Sequence, residues 1–268
     1  MSAIVPASQR ALKNRVPIRV ALGNTLTMAY RNLLLIRRTP QQLFDVTIQP
    51  ILFTLMFAFL FGGAISGSVS GYLPIIIPGI LAQTALTASM ATGVQLREDM
   101  DKGVFYRFKS MPIARIAPLT GPLLADVLRY TIATTLTFVM GYLLGFRWAT
   151  PGGALMAGLL AVFASWCLSW VFALLGVMAK TAQTVQGISA AILFPLGFLS
   201  GAFVPTSTLP VLLQDFVNVN PLTYVVSAVR QLLNQGTIGN DFWLSLAGSV
   251  AVVLVFAPLT LKAYMRKA

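Results

Sequence analysis

The sequence predicts an all-α polytopic membrane protein with six transmembrane helices. Three observations carry this expectation. Of 268 residues, 57% are hydrophobic and only 10% are charged, whereas a soluble domain carries about 25% charged residues. The mean hydropathy is +0.80, more apolar surface than one soluble core of this length conceals. Residues 46–96 contain no charged side chain, a run more than twice the roughly 20 residues that cross a bilayer.

The formal net charge of +12 has a membrane account and needs no nucleic-acid partner. Basic residues gather between apolar runs, as they do in cytoplasmic loops facing an anionic leaflet. The chain has no histidine and a single cysteine, Cys167. That removes the usual proton shuttle, a cysteine metal site and any disulfide within the chain. The acids are Asp45, Glu98, Asp99, Asp101, Asp126, Asp215 and Asp241, with no convergent cluster. The sequence points away from an enzyme, and no catalytic or metal-ligating residue is assigned.

Residues 1–45 read as a cytosolic tail followed by an interfacial helix. Met1 to Arg15 is polar and basic, with no apolar core of the kind a signal peptide has. From Pro17 to Thr39, Ile18, Leu22, Leu26, Ala29, Leu33 and Ile36 recur at helical spacing, with Arg19, Asn24, Arg31 and Arg38 on other faces. Two readings stand here. One is an interfacial helix packed on the first span and touching a cytosolic partner; the other is a simple basic anchor.

Residues 46–268 form the six-helix domain. The uncharged run holds two spans, Val46–Ile65 and Tyr72–Leu96, divided by the turn-rich stretch from Gly62 to Gly71. Pro74 and Pro78 sit in the outer half of the second. After the charged segment 97–115, spans are expected at Leu123–Phe146, Ala154–Ala179 and Val185–Ala202. Arg147, Trp148 and Pro151 mark an outer loop, and Lys180 to Thr184 an inner turn. From Phe203 to Gly239, prolines and polar residues interrupt an apolar stripe at Leu222, Val225, Val226, Val229, Leu232 and Leu233. This predicts short outer re-entrant helices between spans five and six, tolerated at depth where protein or water covers them. Phe242–Leu261 is the last span.

Orientation follows from counting. Of 19 basic residues, all but Arg129, Arg147 and Arg230 fall before Asp45, within 97–115, at Lys180 or at the C-terminal end. Six spans put all those segments, and both termini, in the cytoplasm.

Two distant motifs resemble one family. Residues 97–115 (REDMDKGVFYRFKSMPIAR) place an acidic cluster before a glycine, an apolar-basic helix and a proline. This resembles the loop after the second span of ABC-2 type permeases, in the wording of the daunorubicin-resistance type of drug-export permease. Residues 73–80 (LPIIIPGI) and 121–129 (GPLLADVLR) extend the match. The second motif comprises Gly201 and Pro205, then Pro210, then Asn220, Pro221, Tyr224 and Arg230; it resembles the family's outer signature.

The resemblance implies a permease of the bacterial plasma membrane that pairs with a separate ATPase. No Gly-x-x-x-x-Gly-Lys-Ser/Thr loop occurs in the chain, so ATP and Mg belong to the partner. The implied unit has two ATPase copies and two permease copies, the second permease being an identical chain. Its cargo is a hydrophobic or amphipathic compound such as a drug, moved outward. The same fold serves lipid, glycolipid or polysaccharide export, which stays as an alternative. A secondary transporter is disfavoured by the scarcity of charge within the spans.

In this reading the ATPase-coupling residues are Glu98, Asp99, Asp101, Gly103, Phe105, Arg107, Phe108, Lys109 and Pro112. The acids meet a basic partner surface or cap the following helix. Gly103 permits an unusual turn, and the aromatics anchor between charges. The plain alternative is a solvated loop. Asp126 and Arg129 stand at i,i+3 and are expected to pair near the inner interface; a substrate or proton relay is the other reading. Arg230 is expected to fix the outer helices by pairing with Asp215 or capping carbonyls; attracting an anionic substrate head is the other reading. Gln83, Thr84, Thr87, Ser89, Thr134, Thr135 and Thr137 either line a path or make ordinary interhelical contacts.

Overall fold

The structure is a computed structural model; it describes residues 17–38, 40–104, 113–114, 116–203 and 210–267. Among them it is all-helical. The helices are α1 (Ile18–Arg38), α2 (Pro40–Ser66), α3 (Val69–Asp101), α4 (Ala117–Leu143) and α5 (Pro151–Met178). They continue with α6 (Ala182–Phe198), α7 (Val211–Val219), α8 (Pro221–Asn234) and α9 (Asn240–Lys267). Five are long and apolar enough to cross a membrane: α2 over Thr47–Ser66, α3, α4, α5 and α9. The expected fifth span corresponds to α6, which is apolar but has only 17 residues, short of the usual 20.

The break between α2 and α3 is narrower than the glycine content suggests. Only Gly67 and Ser68 leave the helix. Gly67 takes φ +70°, and the Ser68 hydroxyl caps α3 by accepting from Gly71 N at 3.1 Å. Gly62 remains helical because it is a contact residue: a Cβ there would lie 2.9 Å from Val69 Cα. Elsewhere the caps match the sequence signals. Thr150 caps α5 ahead of Pro151, and Thr181 caps α6 by accepting from Thr184 N.

α3 lies at the centre, packed against α2, α4, α5, α6 and α8. Its partnership with α5 is the tightest. Gly93 and Gly176 face each other so closely that a Cβ on either would strike the other helix's backbone. Lipid offers no hydrophobic drive between helices, so small residues that let backbones meet are the principal device. α9 covers α5, with Thr260 Oγ1 donating to Trp170 O at 3.1 Å, and is otherwise largely exposed.

α1 packs differently from expectation. Its main neighbour is α4, the third expected span. Thr25, Met28, Ala29 and Asn32 are buried, while Leu22 and Leu26 are 60% and 64% exposed. Small and polar side chains allow the approach: Thr25 Oγ1 meets Thr120 Oγ1 at 3.2 Å, and Gly121 sits against Met28. Leu22 and Leu26 of the predicted stripe turn outward, while Leu33 is half-buried.

Candidate functional site

Three sets of predicted residues occupy three levels of the bundle. The first is the C-terminal end of α3. Glu98, Asp99 and Asp101 stand in its last turns, where the helix dipole disfavours negative charge. Neighbouring cations compensate. Lys102 Nζ reaches Glu98 Oε2 at 3.3 Å, and Arg97 pairs with Asp101. Asp99 is half-buried in the field of Arg31 from α1 and of Lys102. Gly103, at φ +68°, ends the helix, with its N–H on Met100 O at 3.1 Å. The acids stand in the closing turns of α3, and Glu98 and Asp101 keep about half of their side chains in solvent. Phe105, Arg107, Phe108, Lys109 and Pro112 lie outside the described residues.

Arg97 has a second role that the sequence did not announce. Its Nη1 donates to Ala179 O at 2.9 Å, just past the end of α5. Lys267 Nζ donates to Val177 O at 2.7 Å and Met178 O at 3.2 Å. Cations from α3 and α9 thus satisfy the last carbonyls of α5, which have no intrahelical donor.

The second set is a buried polar network between α3 and α4. Arg129 Nη1 contacts Asp126 Oδ1 at 3.0 Å, each side chain 4% exposed. Thr92 Oγ1 donates to Asp126 Oδ2 at 2.5 Å and lies 3.0 Å from the Tyr130 hydroxyl. The expected i,i+3 pair is formed, but deeper than anticipated. α4 begins at Ala117, six residues before the expected span, so the pair falls near the middle of this 27-residue helix. Beside it, a cavity of about 250 Å³ opens among α2, α3 and α4. Gln83, Thr84 and Thr87 line it. Ser89 does not; it donates to Ser165 O at 2.7 Å and ties α3 to α5. Thr137 and Thr135 bond backward to Ala133 O and Thr131 O within α4. Gln49, Phe53 and Phe203 also line it. No local pattern marks them, because they converge from distant segments.

The third set holds together the C-terminal end of α6. Leu199 N still donates to Pro195 O at 3.0 Å, and beyond it side chains supply donors to the carbonyls. Asn220 Nδ2 donates to Leu196 O at 2.9 Å and Leu199 O at 2.7 Å, while its Oδ1 caps α8 by accepting from Leu222 N. Arg230 Nη2 donates to Gly201 O at 2.8 Å, and the Tyr72 hydroxyl to Phe203 O at 2.8 Å. Of the two roles foreseen for Arg230, carbonyl capping is the one observed; Asp215 is exposed on α7. Gly201 takes φ +66°, Pro221 opens α8, and the Tyr224 hydroxyl donates to Asn218 O. Pro210 precedes α7, and Pro205 lies outside the described residues. Asn234 Nδ2 donates to Pro74 O at 3.0 Å, the carbonyl that Pro78, lacking an N–H, leaves without a donor in α3. Asn220→Ala removes three of these bonds at once. It is expected to lower stability by about 1–2 kcal/mol or more, read as a lower unfolding midpoint of the solubilised protein.

The family model for the ABC-2 type transporter matches residues 23–234. The chain belongs to the ABC-2 type transporter family. The match runs from α1 to the end of α8 and takes in the polar network and the outer cap. Among ABC-2 relatives, the daunorubicin resistance ABC transporter permease protein DrrB1 of Streptomyces coeruleorubidus is 41% identical over 252 residues, covering 92% of this chain and 88% of that protein. The "Probable doxorubicin resistance ABC transporter permease protein DrrC" of Mycobacterium tuberculosis is 27% identical over 167 residues, 61% of this chain and 59% of its own. As an ABC-2 chain similar to permeases, it stands with transporter subunits rather than with catalysts.

Proposed function

We propose that this chain is the membrane-spanning permease of an ATP-driven exporter that moves a hydrophobic or amphipathic compound, such as a drug, outward. The observation that carries the reading is the 41% identity to a daunorubicin-resistance permease along nearly the whole of both chains. ATP and Mg act on a separate ATPase subunit, present in two copies, and a second copy of this permease completes the unit. The protein resides in the bacterial plasma membrane with both termini in the cytoplasm, supported by the placement of its basic residues. Six crossings are the count that keeps both basic ends on one side. α6 makes the fifth crossing together with residues 199–203, and α7 and α8 form the outer re-entrant pair.

Residues 98–112 are the coupling element of this proposal. Glu98, Asp99, Asp101 and Gly103 shape its start, and Phe105, Arg107, Phe108, Lys109 and Pro112 continue it into the ATPase. Gly201, Pro205, Pro210, Asn220, Pro221, Tyr224 and Arg230 form the outer gate. A crosslinker on Phe105→Cys in a Cys167→Ser background is expected to capture an ATPase subunit in native membranes. Phe105→Asp with Phe108→Asp is expected to abolish both assembly and transport. Full transport by that double variant would remove the coupling role.

A further inference from the structure

The loop between α4 and α5 holds a cation whose unused edge has a fixed direction. Both helices are long and apolar enough to cross a membrane, and only residues 144–150 join them. That loop therefore lies at a bilayer surface, whichever leaflet it faces. Its backbone is locked. Gly145, at φ +102°, closes α4: its N–H donates to Tyr142 O at 3.1 Å, and Phe146 N to Gly141 O at 2.9 Å. This is the Schellman pattern, whose positive φ suits glycine. Phe146 is buried, and Ala149 N donates to Leu233 O at 2.8 Å.

Arg147, between these anchors, is folded back on the end of α4. Its Nη1 donates to Tyr142 O at 2.8 Å and to Phe146 O at 3.0 Å. Its Cζ stands 3.9 Å from the centroid of the Tyr142 ring. Trp148 braces that ring at 5.6 Å and Phe138 at 6.3 Å, centroid to centroid. The helix end and the ring face hold the positive charge in place, and they leave over the edge formed by Nε and Nη2. Among the described residues neither atom has an acceptor and Arg147 has no ion-pair partner; its side chain is exposed. That edge carries two parallel N–H groups, the fork that matches two oxygens of one phosphate. Tyr142, exposed, and Trp148 mark the headgroup level, where such aromatics collect. On the span side, Val139 and Leu143 of α4 and Leu155 and Leu159 of α5 are exposed and offer apolar cover to acyl chains.

We propose that the Arg147 fork is a binding site for the phosphodiester of an anionic membrane phospholipid, whose acyl chains run down the α4–α5 hairpin. Charge selects the lipid: the site supplies a cation, and a zwitterionic headgroup brings a competing cation of its own. Lysine is no substitute, being a point charge without a fork. The bound phosphate holds the hairpin at one depth in the membrane. The inference needs only the membrane-spanning fold and does not rest on the export reading.

The test uses the full chain solubilised in dodecyl maltoside. It is titrated with dioleoylphosphatidylglycerol, and the lipid adduct is followed by native mass spectrometry. Arg147→Lys is expected to weaken the adduct about tenfold, the scale of one charge-assisted hydrogen bond, and Arg147→Gln to weaken it further. Tyr142→Phe is expected to bind as wild type does. Tyr142→Leu is expected to bind about threefold more weakly, the scale of an exposed cation–π contact. Arg147 also caps α4, so its variants lose stability without any lipid; affinity of the folded fraction is the quantity a purely structural role would not move. Should those variants fail to fold, the Tyr142 pair decides. Dioleoylglycerol, with the same chains and no phosphate, and dioleoylphosphatidylcholine are both expected to bind more weakly. Unchanged affinity in Arg147→Lys, equal affinities in the Tyr142 pair, or equal binding of dioleoylglycerol or dioleoylphosphatidylcholine would overturn the proposal. So would displacement of the lipid by inorganic phosphate, which would assign the fork to a soluble anion.

Discussion

Gly93→Leu is expected to leave no folded protein recoverable from membranes. A Cβ at position 93 would lie 2.8 Å from the Phe172 backbone carbon and closer still to its carbonyl oxygen. One at Gly176 would meet the Gly93 Cα at 3.2 Å and strike its carbonyl oxygen. Both obstacles are main chain, so no flexible side-chain end can yield. Even alanine must push α3 and α5 apart, and overpacking of this kind costs about 1–3 kcal/mol. Leucine adds three more carbons to the same space, at the crossing on which the bundle is centred. Gly187→Ala is the matched control. Nothing lies within 4 Å of a Cβ there, and alanine is the better helix former by about 1 kcal/mol. Size-exclusion profiles and unfolding midpoints of the solubilised proteins separate the cases. A wild-type profile from Gly93→Leu would contradict the close crossing.

Asp126→Ala is expected to be nearly as damaging, for an electrostatic reason. It removes the carboxylate that Arg129 and Thr92 share, beside a guanidinium that is 3% exposed. Breaking a buried pair from one side costs about 3–5 kcal/mol, whereas removing both charges is often close to neutral. Asp126→Asn with Arg129→Gln should therefore recover most of the lost midpoint. The two single variants should also differ. A carboxyl left alone can neutralise itself by taking a proton, but a guanidinium cannot. Arg129→Gln is accordingly expected to lie between wild type and Asp126→Ala. Equal midpoints for all variants would mean that water or lipid reaches the pair.

Five of the six expected spans were legible because composition and length decide them: an uncharged run of 51 residues has few alternatives in water or in lipid. Local partners were legible as well. The i,i+3 spacing gave Asp126–Arg129, and the Asn220-Pro221 step gave the cap and first turn of α8. Three things were not. The boundary of α4 was set too late because Ala117 to Pro122 reads as a loop by its prolines, and Pro118 is in fact a first-turn residue of the helix. The face of α1 was misread because periodicity tells that a stripe exists, not whether protein or lipid covers it. Thr92, Phe53 and Phe203 join the site through contacts between distant segments, and one sequence holds no trace of such pairings.

The grip on the end of α5 has a mechanical consequence. Three successive carbonyls, from Val177 to Ala179, are held by charged donors rooted in two other helices. Arg97 is at the same time bound to Asp101, one turn before α3 hands over to the segment below. A push on that segment cannot slide α3 past α5 without stripping a guanidinium from its carbonyl. Nor can α5 leave α9 behind without freeing the Lys267 ammonium. At these ends the three helices are geared together, and force applied to one is delivered to all of them.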